Sequence, residues 1–382
     1  MSKLRIVYIT NNFRPYSGGV VSSILAYTKI LREFGHEVII ISLDFLGNQY
    51  NDESYVIRLY CPLKFSFDGR PCAVPWRSYM QIKMILDRFN PDIIHVHHPF
   101  LLGFSAGLLA KELAIPVVFT YHTLYEHYLH YVPIIPRWIS RPLMQYRVRA
   151  FVKLVDHVIA PSRYVKNFLE QQNLQKSITI LPSPLRERFF SQTHKKNIKN
   201  IYDKPFKLVT VSRFEKEKNL FSLLDVFASL DQNKFTFTLV GYGSQTHALM
   251  QYAYQNLKLP QDSISFIIRP PLEDIILHYA TAHLFLFASQ SETQGLVLAE
   301  SMACATPVIA YDGPGQRDII ENGKNGYLVN GKEQMRSMII DLEKDRDKLL
   351  QLSQCGIKTA EKYHPQFLLS NLLSIYRSVL DR

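Results

Sequence analysis

Short runs rich in β-branched and other apolar residues alternate along the chain with longer segments whose apolar positions recur every three or four residues. The first kind suits a strand covered on both faces, the second a helix with one face on a sheet. Their alternation predicts a parallel sheet layered between helices. In the first half the runs predict strands near Leu4–Thr10, Glu37–Leu43, Asp92–Val96, Val117–Tyr121 and His157–Ala160. Helices are predicted near Val20–Phe34, Arg77–Phe89, Leu102–Leu113 and Leu143–Val155, and Ser162, after Pro161, reads as the N-cap of another running to Gln171.

The polar, basic stretch from Ser183 to Pro205 interrupts this rhythm, after which it restarts. Strands are predicted at Lys207–Val211, Thr236–Val240, Ile264–Ile267, Leu284–Phe287 and Pro307–Ala310, with helices near Leu220–Leu230, Gln245–Asn256, Glu273–Ala282 and Gly295–Ala303. The expected fold class is α/β: two doubly wound Rossmann-like domains facing a cleft. They span 1–185 and 206–362, with a linker over 186–205 and a terminal segment, 363–382, carrying a helix at Gln366–Leu380. In such sheets ligands bind outside the carboxyl ends of the strands.

The length of 382 residues and a 47% hydrophobic content suit two globular domains. No apolar run approaches the roughly 18–20 residues that span a bilayer, and the start reads as a first strand, not a signal peptide. Four cysteines without CxxC spacing fit a reduced, cytosolic setting. The charge is uneven. Residues 1–200 hold 25 Lys and Arg against 13 Asp and Glu, a net of +12, whereas residues 201–382 hold 19 against 20, a net of −1. The first half is thereby expected to meet something anionic, such as lipid headgroups. Met144, Val148, Phe151 and Val155 recur at helical spacing with Arg149 and Lys153 opposite, which fits either a helix packed on the sheet or an interfacial one.

Candidate chemistry concentrates at strand ends. In Ser291-Glu292-Thr293-Gln294-Gly295-Leu296-Val297, Glu292 falls in a loop and Glu300 on the helix that follows. The free amides of Leu296 and Val297 at that helix start would form an anion site. A capped amphipathic helix would show the same pattern. In Arg213-Phe214-Glu215-Lys216-Glu217-Lys218, two cations could reach phosphate oxygens from one loop, although a solvated charged turn would also look this way. Gly241-Tyr242-Gly243 and Ser17-Gly18-Gly19 are glycine turns after strands, where backbone can approach a ligand closely. The loop Tyr121-His122-Thr123-Leu124-Tyr125-Glu126-His127-Tyr128 presents hydroxyls and imidazoles. Ile94-His95-Val96-His97-His98 has a spacing that could suggest a metal, but no acidic or Cys partner is evident, so packing at a strand end is expected, with His97 or His98 as candidates to line the cleft. Asp345-Arg346-Asp347 satisfies a D-x-D pattern, yet it lies in a mixed-charge stretch that reads as a solvated helix face.

Taken together and in this order, these motifs resemble glycosyltransferase family 4, whose members have the two-domain GT-B fold, over essentially the whole chain, and the resemblance implies that the C-terminal helix crosses back to pack on the N-terminal domain. Glu292 and Glu300 match the family's E-x7-E motif, Arg213 and Lys218 its paired basic residues, and Gly19 its N-terminal glycine loop. The resemblance implies that Arg213 and Lys218, with Gly19 and the amides of Leu296 and Val297, hold the donor diphosphate. It assigns Glu300 and Gly241 to the nucleoside, and Glu292, Gln294, Gly295 and His122 to the transferred sugar. His122, Glu292, Arg213 and Lys218 are then the catalytic set, and Tyr121, Tyr125 and Tyr128 face the acceptor. The Tyr-rich loop, with Glu292-Thr293-Gln294-Gly295, looks most like bacterial diacylglycerol glucosyltransferases; His127 departs from them where Asp is common.

The reading implied is a retaining, metal-independent hexosyltransferase with no cofactor, using a UDP-sugar donor, expected to be UDP-glucose. Its acceptor is a lipid held at the cytoplasmic membrane face by the basic half, and domain closure excludes water. Phosphatidylinositol, a polyprenyl carrier or a polysaccharide are rival acceptors. A sugar-nucleotide epimerase lacks the E-x7-E arrangement, and a non-catalytic membrane or nucleic-acid binder finds no recognised nucleic-acid motif here.

Overall fold

The structure, a computed structural model, describes residues 3–15, 18–47, 52–67, 70–125, 137–172, 174, 176–195 and 203–381. The chain divides into two compact units: Met1–Pro184 together with Pro365–Arg382, and Leu185–His364.

The first unit is built on strands β1 (Arg5–Ile9), β2 (Glu37–Leu43), β3 (Val56–Leu59), β6 (Ile93–Val96), β7 (Val117–Thr120), β8 (His157–Ala160) and β9 (Ser177–Ile180). They form one sheet in the order β3-β2-β1-β6-β7-β8-β9, parallel throughout. Alternate residues of β1 feed opposite cores: Val7 and Ile9 pack on one face, Ile6 and Tyr8 on the other. Both faces of a parallel sheet are covered, which is why the strands read as unbroken apolar runs. Two further strands, β4 (Leu63–Phe67) and β5 (Arg70–Val74), form a separate antiparallel ribbon.

Helix α1 (Gly19–Glu33) and the final helix, α12 (Pro365–Leu380), share the second of those cores. Leu369, Leu372 and Tyr376 are buried there with Ile24, Tyr27 and Ile30. The last helix therefore belongs to the first unit. In α4 (Arg137–Val152), which starts before the expected Leu143 and carries Pro142 inside it, Val148, Phe151 and Val152 are core residues. The apolar stripe legible in the sequence thus faces the sheet.

The second unit repeats the architecture. Strands β10 (Phe206–Arg213), β11 (Phe235–Tyr242), β12 (Ile264–Ile268), β13 (Leu284–Phe287), β14 (Val308–Tyr311) and β15 (Gly326–Val329) form a parallel sheet ordered β12-β11-β10-β13-β14-β15. The segment expected as a linker over 186–205 begins inside this unit. Leu185 donates its amide to the Tyr363 carbonyl at 2.9 Å, and Leu185 and Phe189 are buried in its core, so apolar burial holds that stretch to the unit. The D-x-D residues do not lie on one helix: α10 (Lys332–Lys344) ends before Asp345, whose carboxylate caps α11 (Arg346–Glu361) by accepting from the Lys348 amide at 2.9 Å. Among the described residues no helix is long and apolar enough to cross a membrane.

Candidate functional site

Each sheet has a point where the strand order reverses. In the second unit β10 lies between β11 and β13, so the loops leaving β10 and β13 open on the same crevice. Arg213 ends β10, the loop after it carries Lys218, and the β13 loop carries Glu292. The structure brings them together: the Lys218 ammonium bonds the Glu292 carboxylate, and Arg213 pairs with Glu217 at 3.0 Å. Burial pushes the Glu292 carboxyl up, but the Lys218 charge and hydrogen bond, a Ser289 hydrogen bond and the Arg213 charge outweigh it, and the group lies below its ordinary range. Lys218 lies in a short 3-10 turn that ends at Asn219, a left-handed residue starting α6 (Leu220–Ala228).

Gly295 takes φ 78° and caps α9 (Leu296–Ala303), so Leu296 and Val297 are its first two residues. A Cβ on Gly295 would be strained at that φ and would meet the Leu298 side chain at 3.3 Å. Gln294 is buried. Glu300, on the same helix, does not face solvent freely. It accepts from Tyr279 Oη of α8 (Leu272–Thr281) at 3.1 Å. Burial pushes its carboxyl up to about 7, against the Tyr279 hydrogen bond and the Arg186 charge. The two carboxylates of the motif therefore have opposite electrostatics.

Gly241 pairs in register with Ser212, and a Cβ there would lie 1.8 Å from the Ser212 carbonyl oxygen. A Cβ on Gly243 would lie 2.3 Å from the Phe214 carbonyl oxygen. Buried Glu215 accepts from Ser244 Oγ at 2.6 Å, fastening the β11 turn to the β10 loop. These glycines therefore have a packing role that fixes where Arg213 and Lys218 emerge.

In the first unit the order reverses at β1, between β2 and β6. Gly19 opens α1, and a Cβ on the preceding Gly18 would touch nothing within 4 Å, so the backbone there is open to close approach. Ser17 lies outside the described residues. His122, just past β7, is buried and meets His97 at 2.9 Å between His122 Nε2 and His97 Nδ1. His97 is stacked on His95 with ring centroids 4.4 Å apart. His95 itself is bonded to Tyr376 Oη at 2.8 Å and Thr120 Oγ1 at 2.7 Å, while His98 meets Thr10 Oγ1 at 3.1 Å. Burial lowers all four imidazoles, His95 to about 3 and His98 to about 4. They are neutral at physiological pH.

The rings of Tyr121 and Tyr125 are buried in the core and line a small, partly open pocket with Met144, Val148 and Phe168. Tyr128 and His127 lie outside the described residues. Sequence reasoning left three functional neighbours unseen: His97 as the partner of His122, Tyr376 as the partner of His95, and Tyr279 as the partner of Glu300. No local pattern reveals them, because each contact joins distant elements.

Comparison with known proteins gives the family of this arrangement. A model described as Glycosyltransferase Family 4 matches residues 17–189, and one described as Glycosyl transferases group 1 matches residues 191–359. The alpha-monoglucosyldiacylglycerol synthase of Streptococcus pneumoniae is 33% identical over 350 residues, covering 88% of this chain and 78% of that one. The enzyme of the same name from Acholeplasma laidlawii is 25% identical over 403 residues, covering 99% and 98%. Sucrose-phosphate synthase from Thermosynechococcus elongatus matches in structure with a TM-score of 0.80 at 18% identity, over 98% of this chain and 99% of that one. The chain belongs to glycosyltransferase family 4 and has the GT-B fold.

Proposed function

We propose that this glycosyltransferase moves a glucosyl residue from UDP-glucose to diacylglycerol at a membrane surface, with retention at the anomeric carbon and without a metal. The observation that carries the reading is the Lys218–Glu292 pair beside the Gly295 turn and the start of α9. The names of the two synthases similar to it supply the sugar and the acceptor. Arg213 and Lys218, with the Leu296 and Val297 amides, neutralise the departing diphosphate, a charge stabilisation that a divalent ion would otherwise give. Asp345, the first residue of the D-x-D pattern, is engaged as a helix cap.

In the reaction the bond from the anomeric carbon to the diphosphate oxygen breaks, and the acceptor oxygen bonds that carbon on the same face. The acceptor proton passes to the departing phosphate, and UDP leaves. Glu292 and Gln294 hold sugar hydroxyls, Glu300 holds the ribose, and neutral His122 offers a hydrogen bond to the reacting groups. The acceptor is met by the first unit, whose basic surface suits anionic headgroups. On α4 the side chains of Trp138, Ile139, Leu143 and Tyr146 are exposed beside Arg141, Arg147 and Arg149, a composition suited to a cytoplasmic membrane face.

The test supplies vesicles of anionic phospholipid and diacylglycerol with UDP-glucose and a chelator. The expected product is an α-linked glucosyl-diacylglycerol, identified by mass and by NMR of the anomeric proton. Transfer only from another sugar nucleotide, or only to phosphatidylinositol or a polyprenyl phosphate, overturns the assignment. In the same assay Lys218→Met should lose about a hundredfold or more of turnover, as removal of one preorganised charge partner does. Near-normal transfer by both Lys218→Met and Arg213→Ala would refute the diphosphate role.

A further inference from the structure

The mechanism above uses His122 and leaves His97 idle, although His97 is the more deeply buried of the two, at 1% exposure. Its surroundings are over-determined for a packing residue. The His97 amide donates to the Ile9 carbonyl at 2.9 Å, and its ring lies almost parallel to His95, at 23°, and to His122, at 21°. Tyr8 packs edge-on against both His95 and His97, with centroids 5.2 and 5.0 Å away. His95 is fixed in turn, because both its nitrogens are bonded, one to Thr120 and the other to Tyr376 of the last helix. Gly103 completes the frame. A Cβ there would come within 1.8 Å of the His98 carbonyl oxygen, so α3 (Leu102–Glu112) clamps the turn that follows His97.

One hydrogen bond joins two neutral imidazoles, so a single proton lies between them and its owner decides both tautomers. The other His97 nitrogen, Nε2, is buried without a hydrogen-bond partner among the described residues. If His122 Nε2 were the donor, His97 would carry its proton on that orphaned Nε2, leaving a buried N–H unpaired. If His97 Nδ1 is the donor, the orphan is only a lone pair, and orphaned buried N–H groups are the rarer and costlier case. The second arrangement wins.

We infer that His97 is a positioning residue for glycosyl transfer: its Nδ1–H donates to His122 Nε2, holding His122 in one ring orientation with its own proton on Nδ1. His122 then serves as a hydrogen-bond donor and does not collect a proton during turnover. The frame that enforces this runs from Tyr376 on the last helix through His95 to His97. The inference rests on the proposed role of His122 and adds the group that sets its tautomer.

The experiment compares His97→Ala, His97→Asn and His122→Ala, alone and in combination, by kcat and KM for the sugar nucleotide and by UDP binding. Asn can place an amide N–H where the Nδ1–H lies. The expected result is a fall in kcat of about tenfold to a hundredfold for His97→Ala, the scale of a misplaced catalytic group. UDP affinity should be unchanged, activity should recover in His97→Asn to within a few-fold of the parent, and the double Ala variant should be no slower than His122→Ala. Equal loss in the Asn and Ala variants, or multiplying losses in the double variant, overturns the inference. Should His97→Ala fail to fold, imidazole ¹⁵N shifts of the unaltered protein decide it: a protonated Nδ1 on His122 supports the assignment and a protonated Nε2 refutes it. A His122→Ala enzyme with normal turnover instead removes the proposed role of His122, which is a separate failure.

Discussion

Glu292 and Glu300 belong to one sequence motif, yet the structure gives them opposite electrostatics. Glu292 is held ionised by Lys218 and Arg213, whereas the Tyr279 hydrogen bond and the Arg186 charge do not offset the burial of Glu300. The consequence is a pH dependence that belongs to Glu300. Its folded value is about 7, above the 4.5 of the free side chain, so below 4.5 both folded and unfolded chains hold the proton. As pH rises from there to about 7 the unfolded chain alone releases it, so this group's contribution to stability is lost through that window. Donor binding should run the other way, because in the role proposed for Glu300 the ionised carboxylate is the stronger acceptor for ribose hydroxyls. The KM for the sugar nucleotide should fall as pH rises through about 7, and Glu300→Gln should abolish that dependence while raising KM throughout. A slope unchanged in the Gln variant would assign the titration elsewhere.

At the scale of elements, the site is made by turns that join strand ends to helix starts, and glycine packing sets their positions. The ends of β10 and β11 are in contact through backbone at Gly241, with no room for a side chain. Gly241→Ala should cost about 1–3 kcal/mol or more of unfolding free energy by overpacking. It should also weaken UDP binding, since the Ser212 carbonyl it strikes precedes Arg213 directly. Thermal unfolding and nucleotide titration would check both. Retained UDP affinity in a destabilised variant would separate the packing role from the binding one. Position within the sheet also decided which strands were legible. The parallel strands missed in the sequence, β3, β9 and β15, all lie at sheet edges. An edge strand is covered less completely, and its residues then mix polar with apolar, as the partly exposed β9 shows. The central strands, covered on both faces, stood out.

For the whole molecule, the last helix is the element whose placement matters most. It follows the second unit in sequence but fills the core of the first, burying eight of its residues, Leu372 completely. Leu372→Ala should destabilise the first unit by about 2–5 kcal/mol, the range for a large-to-small change in a packed core. Hydrogen exchange would localise the effect: faster opening around α1 and β1, with the second unit's amides unaffected. Uniform acceleration across both units would contradict the division. The helix also brings Tyr376 to His95, so its loss should disturb the histidine frame.

Read alone, the chain yields its α/β class, the central strands, the helices between them and the E-x7-E and basic-pair residues, because these rest on local periodicity and on fixed motif spacing. Which groups those residues meet was beyond its reach. The Lys218–Glu292 bond spans 74 positions and the Tyr376–His95 bond 281. Whether Glu300 is charged depends on how much water the fold removes and on a tyrosine from another helix. Contacts of that range and the desolvation that shifts a carboxyl exist only when distant elements are packed together, and no local pattern encodes them.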